Sequence, residues 1–499
     1  MIAFDDMRGF IQLLKSKDQL KEIDIELNVA RGTTELQPLM RFIHNSNGPA
    51  LMLNNLSGYN CPDIPVLFNP YGTRERTSMI LGKENPLECK LRHVEVLTDQ
   101  SLWHKPRKID SSKAPCKEVK IDRKDIDIGK QLPHVWFGKE GPAYITNAVV
   151  ITKDPETGAI NTGCYRLTQF WNASHPYGDV YSEDEQKKCL SIFSFWNPPG
   201  NDVGIHWAKA QEMKQPLEVA IACVVDPVIQ VAAATSIALG LDEMDFAGGL
   251  RGEPVDVVDC ETIDIAVPAT AEWILEGTFL PERDVAIGPH SNPVGYYDDA
   301  QLFPLIEIQS ITHRNNPIWY STMEMEPPFD HNYMACLPIE GEVLSDLQAK
   351  IPEVKDVVVT PNLSYFVQLS VDGAQKPHPE FGKFVLQSVW DASGRWGKTA
   401  KVVVVVGPDV NPYDLSEIEW AINTRVQPYT DSIINKSGHA FLMDPSAEKD
   451  PGHGIALQSE QIGFDATIKI PERFQSYPEY SNADAEDVEA IAKKFKGLL

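Results

Sequence analysis

The segment NTGCYR, residues 161–166, places an arginine at the end of a short run of small and polar residues, two residues after the turn sequence DPETG. A turn that leads into a strand ending in Arg166 suits anion recognition, because the planar guanidinium matches the two oxygens of a carboxylate. The same pattern is also typical of a structural salt bridge. Arg166 is therefore a candidate carboxylate-binding residue on a predicted strand.

Two further phrases carry residues that bind metals. His206 stands in GIHW, and Glu243 stands in GLDEMDFAGGLRGEP. Together with Asn161 they form a mixed oxygen and nitrogen set that suits a divalent ion, Mn²⁺, Mg²⁺ or Fe²⁺, bridging to a phosphate. The three residues are far apart in the sequence, so the alternative of a satisfied histidine and a surface glutamate stays open.

These residues need elements to position them, and the hydrophobic pattern predicts both helices and strands. Helices are predicted at residues 5–20, 242–250, 416–424 and 484–499, and strands at residues 148–152, 219–225, 255–258 and 402–406. Ser416 is the predicted N-cap of the third helix, with Glu419 at the capping-box position. The fold class is α/β multi-domain (α+β). The predicted domains are an N-terminal α/β domain at 1–115, a β-rich central domain at 116–325, a C-terminal α/β domain at 326–475 and a C-terminal helix at 476–499.

Composition limits the partners. The chain has 499 residues, which exceeds one usual core, and a net charge of −26, which argues against nucleic acid and anionic membrane surfaces. No apolar stretch approaches the ~20 residues needed to span a bilayer, and the N-terminus lacks a signal peptide, so a cytoplasmic location is expected. The eight cysteines form no CxxC pair and are expected to be reduced thiols.

Taken in order, the phrases resemble one known family. NTGCYR, GIHW, residues 241–277, IGPHSNPVGYY, HRNNP, INTRVQP and IGFDATIKIP together resemble the UbiD family of decarboxylases and carboxylases, which depend on prenylated FMN and include ferulic acid decarboxylase. The resemblance covers roughly residues 116–471. It implies a central split β-barrel that binds the flavin and a C-terminal domain for oligomerisation as a homodimer or homohexamer. It also implies a flavin prenyltransferase as the supplier of the cofactor.

The resemblance also assigns roles to single residues. Asn161, His206 and Glu243 match the positions that hold a divalent metal on the cofactor phosphate, and Arg166 matches the arginine beside the reacting carboxylate. Thr235 and Arg425 fall where the family binds K⁺, largely through backbone oxygens. The remaining predicted cofactor-binding residues are Thr162, Gly163, Cys164, Tyr165 and Arg395.

The chain departs from the family in the loop IGPHSNPVGYY. Many members carry two glutamates there that flank the arginine, but these positions hold Ile287 and Asn292. Between them lies His290, whose ordinary pKa of about 6.5 suits proton donation near neutral pH. Glu282 or Asp284 could replace it if the loop shifts register, and a structural histidine is the remaining alternative. The predicted catalytic residues are Arg166, His290 and Asn292.

Residues that fall near the family's substrate pocket are Ile287, Thr399 and Lys401, although a lysine at a strand end is also typical of a surface end-cap. The function implied is non-oxidative, reversible decarboxylation of a small aromatic or heteroaromatic acid, or of an aryl-CoA thioester. The alternative is a cofactor-binding but inactive subunit of a multi-subunit aryl carboxylase.

Overall fold

The computed structural model describes residues 2–32, 35–141, 143–169, 182–193, 201–298, 301–449, 456–471, 473–478, 481, 483 and 485–495. No helix in these ranges combines the length and the apolar composition needed to cross a lipid bilayer. Helices and sheets are both present, as the sequence predicts for an α/β multi-domain chain.

The N-terminal part begins with a helix whose start is set by one side chain. Asp6 accepts a hydrogen bond from the Gly9 amide at 2.7 Å, and the helix buries an apolar face led by Phe10 and Leu14. The predicted helix at 5–20 is thus confirmed with tighter ends. The elements of this part are α1 (Met7–Ser16), β1 (Leu20–Ile23), β2 (Leu27–Asn28), α2 (Leu36–Asn45), β3 (Ala50–Leu53), β4 (Leu56–Ser57), β5 (Val66–Phe68), α3 (Arg74–Ile80) and α4 (Pro86–Thr98).

The central part is dominated by long antiparallel strands. Its elements are β6 (Arg107–Lys108), β7 (Val119–Asp122), α5 (Ile128–Gln131), β8 (Tyr144–Lys153), β9 (Ile160–Gln169), α6 (Glu183–Lys188), β10 (Cys189–Ile192), α7 (Asp202–Met213), β11 (Glu218–Cys223), α8 (Pro227–Ala234), α9 (Glu243–Arg251), β12 (Asp256–Asp259), β13 (Ala266–Pro268), β14 (Trp273–Ile287), β15 (His290–Ser291), β16 (Tyr297–Asp298), β17 (Gln301–His313) and β18 (Trp319–Tyr320). The predicted strands at 148–152, 219–225 and 255–258 and the predicted helix at 242–250 lie within or overlap these elements.

The main sheet of this part closes on itself. Its strand order is β10, β9, β8, β11, β14, β17 and β7, and β10 pairs with β17 as well as with β9. Six strands therefore form a ring of backbone hydrogen bonds, with β7 attached outside it. β18 leaves this part to join β5, which completes a four-stranded sheet with β3 and β1. The N-terminal and central parts consequently share one continuous hydrophobic core.

The C-terminal part combines helices with a six-stranded sheet. Its elements are α10 (Asp330–Gln348), β19 (Val354–Val359), β20 (Ser364–Leu369), α11 (Phe381–Trp390), α12 (Arg395–Lys398), β21 (Val402–Val406), α13 (Leu415–Arg425), β22 (Ser432–His439), β23 (Glu448–Lys449), β24 (Ala456–Ala466) and α14 (Ala485–Lys494). The all-valine strand β21 lies between the parallel strands β20 and β24 and is almost wholly buried, as its composition predicts.

One predicted cap is wrong. The side chain of Asp414 accepts a hydrogen bond from the Ser416 amide at 2.8 Å and caps α13, so Ser416 lies inside the helix. Asp and Ser both favour the N-cap position, and the earlier residue, Asp414, occupies it. The last predicted helix is confirmed as α14, and residues 484 and 496–499 of that prediction lie outside the described residues.

A buried ionic network joins α4 to the C-terminal part. Lys90 is fully buried, and its ammonium contacts Asp356 at 2.5 Å and Glu340 at 3.3 Å. Arg74 contacts the same Glu340 at 2.7 Å, and the Tyr413 hydroxyl donates to Asp356 at 2.8 Å. Because isolated buried charges are costly, this network ties the position of α10 and β19 to the N-terminal helices.

Candidate active site

The three predicted metal-binding residues converge on the start of β9. Asn161 lies opposite Thr152 in the pairing of β9 with β8, and the Thr152 hydroxyl lies 2.9 Å from His206 Nδ1. One residue further along β9, the Thr162 amide donates a hydrogen bond of 2.8 Å to Glu243 Oε2. Residues from β9, α7 and α9 are thereby brought together.

The chemistry of this cluster fits a bound cation. Burial raises the pKa of Glu243 to about 8, so the carboxylate is unstable without a positive partner. Burial also lowers the pKa of His206, which keeps its ring neutral and able to ligate a metal. Asn161 Nδ2 and Thr162 Oγ1 are buried without a hydrogen-bond partner among the described residues. Both atoms can donate a hydrogen bond, so they fit a ligand that carries acceptor oxygens together with a metal.

The predicted metal ligands are not all of the His, Cys, Asp or Glu type. In the part of the chain that the structure describes, no group of three or more His, Cys, Asp or Glu could hold a metal by itself. The cluster contains two such residues, His206 and Glu243, and its third member is the amide Asn161.

The rest of the NTGCYR segment packs behind this cluster. The Tyr165 hydroxyl accepts a hydrogen bond from the Val203 amide at 3.4 Å, and its ring leaves no room for a Cβ at Gly163. The Cys164 thiol contacts Gln230, whose amide nitrogen also donates to Asn147 Oδ1 at 2.7 Å. The strand is thus fixed on both faces.

Arg395 approaches the same region from the C-terminal part. Burial raises the pKa of Asp202 at the start of α7, and the charge of Arg395 opposes that shift. The guanidinium itself is exposed and lies over the Trp396 ring, 4.4 Å from its centroid. Its position at the start of α12 is compatible with the predicted contact to a phosphate.

The side chains at the two predicted K⁺ positions, Thr235 and Arg425, bind other groups of the protein. The Thr235 hydroxyl donates to the Val231 carbonyl at 2.8 Å and lies 3.0 Å from His93 Nε2. Arg425 forms an ion pair with Asp409 within the C-terminal part. The predicted contact of K⁺ with backbone oxygens at these two positions stays a prediction.

The Arg166 side chain, only 12% exposed, lies near the end of β9 and is held by two partners. It forms an ion pair with Glu324, and it donates a hydrogen bond to the backbone carbonyl of Ser291. The ring of Tyr144 lies 5.8 Å from the guanidinium carbon. Glu324 is in turn contacted by His331 Nδ1 at 3.2 Å.

A second glutamate reaches the same place from the segment before β8. Glu140 Oε1 accepts hydrogen bonds from the Ser291 hydroxyl at 2.6 Å and from its amide at 3.2 Å. Burial raises the pKa of Glu140 to about 7, although the charge of Arg166 opposes the shift. Glu140 Oε2 is buried and has no hydrogen-bond partner among the described residues.

Sequence reasoning missed both glutamates. Glu324 stands between Met323 and Met325 in a buried segment, and an acidic residue in such a segment signals a buried partner. Glu140 lies in KEGP, which reads as an ordinary exposed turn and gives no comparable signal. The usual glutamate pair of the loop is absent, and carboxylates from two other segments lie near Arg166 instead.

The predicted catalytic loop forms a small hairpin of β15 and β16. His290 Nε2 lies 3.4 Å from Asp298, the Phe193 ring packs edge-on against the imidazole, and burial lowers the pKa of His290. The Asn292 side chain accepts hydrogen bonds from the amides of Val294 and Tyr296 and donates to Asp298. These bonds hold the turn of the hairpin.

Of the two carboxylates on β14 that the sequence predicts as alternative proton donors, Glu282 and Asp284, the structure describes the side chain of Asp284 only. Asp284 pairs with Pro304 across β14 and β17, and partial removal of its carboxyl group from water raises its pKa. The side chains of Glu282 and Ile287 lie outside the described residues, so the predicted pocket role of Ile287 stays a prediction.

The predicted pocket residues of the C-terminal part line a cavity of about 200 Å³ that also includes Val294 of the hairpin. Lys401 Nζ lies 2.6 Å from both Asp444 Oδ2 and the Ser446 hydroxyl, and the Thr399 hydroxyl donates to the Trp396 carbonyl at 3.1 Å. A larger cavity, of about 600 Å³, lies between α2 and the hairpin and is bordered by Ser291 and Glu324.

Comparisons with known proteins agree with this architecture. Models of the N-terminal, Rift-related and C-terminal domains of 3-octaprenyl-4-hydroxybenzoate carboxy-lyase match residues 11–91, 107–327 and 332–466. An uncharacterised protein of Synechocystis is 32% identical, over 98% of this chain and 95% of that protein.

Two solved structures superpose over most of the chain. The UbiD-class enzyme HmfF of Pelotomaculum thermopropionicum in complex with FMN has a TM-score of 0.81 at 25% identity, over 97% of this chain and 99% of that one. The open form of Sedimentibacter hydroxybenzoicus vanillic acid decarboxylase, ShVdcCD, has a TM-score of 0.82 at 25% identity, over 99% of each chain. Since the domain models cover all three parts of the fold, the chain belongs to the UbiD family of carboxy-lyases.

Proposed function

We propose that this chain catalyses the non-oxidative, reversible decarboxylation of an aromatic or heteroaromatic carboxylic acid with prenylated FMN as its cofactor. The substrate is either a free acid or an aryl-CoA thioester. The proposal includes a divalent metal on the cofactor phosphate, supply of the cofactor by a flavin prenyltransferase, and self-association as a dimer or hexamer.

The observation that carries the proposal is the arrangement of β9. One strand bears Asn161, which belongs to the proposed metal cluster, and Arg166, whose largely enclosed guanidinium lies near the strand's other end. A guanidinium has five N–H donors, and those of Arg166 engage the Ser291 carbonyl and Glu324. A substrate carboxylate would be a further partner of Arg166, close to a flavin anchored by Asn161, His206 and Glu243.

The roles of the residues follow from their chemistry. Prenylated FMN, when bound, supplies an electron sink for the carbon that loses CO₂. Arg166 would orient the substrate carboxylate, and the fixed partners of the guanidinium limit its rotation. The neutral His206 and the Glu243 carboxylate would hold the metal, and the orphaned Asn161 and Thr162 atoms would contact phosphate oxygens or their waters.

The substrate class follows from the missing loop glutamates and from the neighbours. Ferulate-like acrylic acids need an acid at the position of Ile287 or Asn292, which this chain lacks. An aromatic acid whose ring assists the reaction, such as a phenol acid, fits better, and ShVdcCD acts on vanillic acid. An inactive subunit fits less well, because such a protein has no need to retain Arg166 in a buried ion pair.

Co-expression with a flavin prenyltransferase tests the proposal. Protein made this way should release CO₂ from at least one member of a panel of phenolic, heteroaromatic and CoA-linked aryl acids, without consuming redox equivalents. Protein made without the prenyltransferase should be folded but inactive. Full activity with plain FMN, or with no flavin, would contradict the proposal.

A further inference from the structure

Two glutamates outside the family's catalytic loop approach Arg166. Glu324 follows β18 and pairs directly with the guanidinium, whereas Glu140 precedes β8 and is joined to it through Ser291. Ser291 donates to Glu140 with its side chain and accepts from Arg166 with its backbone carbonyl. Arg166 and Glu140 therefore both contact Ser291 of the hairpin, and Glu324 is joined to it through Arg166.

We propose that Glu140 is the general acid of this enzyme and that Glu324 is a positioning residue that fixes Arg166. This inference rests on the proposed function and deepens it. In the step assigned to Glu140, the electron pair that held the departing carboxyl carbon forms a new C–H bond with the proton of Glu140. The side chain is left as a carboxylate and regains a proton from water, so no oxidant or reductant takes part.

The hydrogen bonds of Glu140 leave one oxygen for proton transfer. Oε1 is occupied by the Ser291 hydroxyl and amide, which fixes the orientation of the carboxyl group. Oε2 is buried without a hydrogen-bond partner among the described residues, and the whole residue is only 5% exposed. A proton on Oε2 has no competing acceptor in the described part of the protein, which is the arrangement that a proton donor requires.

The surroundings of the three candidate acids, Glu140, Glu324 and His290, shift their pKa values in different directions. Among the described residues, Arg166, Glu324 and the Tyr144 hydroxyl interact electrostatically with Glu140, and burial outweighs the attraction of Arg166 to raise the pKa of Glu140 to about 7. Burial alone would raise the pKa of Glu324, but Arg166 lowers it to about 2, so Glu324 stays ionised. His290 is buried with a lowered pKa and is mostly uncharged at neutral pH, which leaves Glu140 as the group that carries an acidic proton.

The cavity of about 600 Å³ gives this site a route to water. It is bordered by Gly138, two residues before Glu140, and by Ser291, whose hydroxyl contacts the Glu140 carboxyl group. Glu324 lines the same cavity. Solvent that enters this cavity can therefore return a proton to the Glu140 carboxyl group.

The test compares three variants of the enzyme loaded with prenylated FMN. Glu140→Gln keeps the shape and the acceptor for Ser291 but cannot give up an acidic proton. It should bind flavin as the wild type does, change KM by less than ~3-fold, and lower kcat by ~10²–10⁴-fold, the usual contribution of general acid catalysis. Glu326→Gln, a control on the segment that carries Glu324, should leave both constants within ~2-fold, because Glu326 is 79% exposed.

Two further readouts separate an acid from a structural residue. The wild-type kcat should fall as the pH rises through about 7, because the acidic form is lost, and the residual activity of Glu140→Gln should lack that step. His290→Gln should retain kcat within ~3-fold. A large loss in His290→Gln together with an unchanged kcat and pH profile in Glu140→Gln would overturn the assignment.

Infrared spectroscopy tests the same proposal without turnover. A difference spectrum between wild type and Glu140→Gln should show a protonated-carboxyl band that disappears as the pH is raised through about 7. If that band is missing, the inference fails whether or not a substrate turns over. If the band is present but no acid in the panel releases CO₂, the proposed function fails instead, and with it the assigned step.

Discussion

Arg166 and Glu324 form an ion pair inside the protein, with side chains that are only 12% and 5% exposed. Glu324 comes from the segment after β18, so the pair connects the closed central sheet with the strand that completes the N-terminal sheet. A buried pair is expensive to break from one side, because the remaining charge has no solvent to stabilise it. The pair therefore fixes the position of the arginine that is expected to meet the substrate.

The first prediction concerns this pair. Glu324→Gln leaves the Arg166 charge without its main partner and should lower the free energy of unfolding by about 3–5 kcal/mol. The exposed pair of Arg41 with Glu326 is the matched comparison, and Glu326→Gln should cost only about 0–1 kcal/mol. Urea denaturation of the two variants measures both values, and equal losses would show that the buried pair has no special role.

The second prediction concerns Glu140 and pH. Its pKa rises from an ordinary 4.5 to about 7 in the folded protein, so folding favours the protonated form. The stability that Glu140 contributes is fully present below about 4.5 and is lost as the pH rises through about 7. The Gln side chain cannot ionise, so the free energy of unfolding of Glu140→Gln should rise relative to that of the wild type as the pH increases over this range, by on the order of 3 kcal/mol. Parallel stability curves for the two proteins would contradict the raised pKa.

The third prediction separates anchoring of the cofactor from catalysis. Glu243→Ala removes a buried carboxylate from the proposed metal cluster and should lower both metal and flavin occupancy. Arg166→Ala should keep the flavin and lose turnover. Asp245→Asn, which changes a charge in the same helical turn, is the control and should change neither occupancy.

Metal analysis and the flavin absorbance of purified protein give these occupancies. Unchanged occupancy of both groups in Glu243→Ala would remove Glu243 from the metal site.

The fourth prediction concerns Lys90. Lys90→Met leaves Asp356 and Glu340 without the ammonium that both contact, and should destabilise the fold by about 3–5 kcal/mol. Lys15→Met removes one partner of the exposed pair with Glu22 and should change stability by no more than about 1 kcal/mol. Thermal unfolding of the two variants distinguishes these expectations. A small shift in Lys90→Met would mean that the remaining network compensates for the lost charge.

The sequence singled out Asn161, His206 and Glu243 but neither of the two glutamates near Arg166. Asn161, His206 and Glu243 stand in distinctive phrases, and the pairing of β9 with β8 and the start of α9 bring them together. The approach of Glu140 and Glu324 to Arg166 depends on contacts between distant segments, which no local pattern encodes. The cap of α13 shows the same limit at short range, because Asp414 and Ser416 are both good caps and only the folded backbone decides between them.

Exchange of ¹³C-labelled bicarbonate into the carboxyl group of a substrate acid tests the central claim most directly, since it reports reversible cleavage of the carbon–carboxyl bond without net redox change. We expect wild-type protein with prenylated FMN to incorporate the label into an aryl acid, and Arg166→Ala, with the same flavin bound, to incorporate none above background. Loss of CO₂ coupled to flavin reduction, or equal exchange in wild type and Arg166→Ala, would contradict the account.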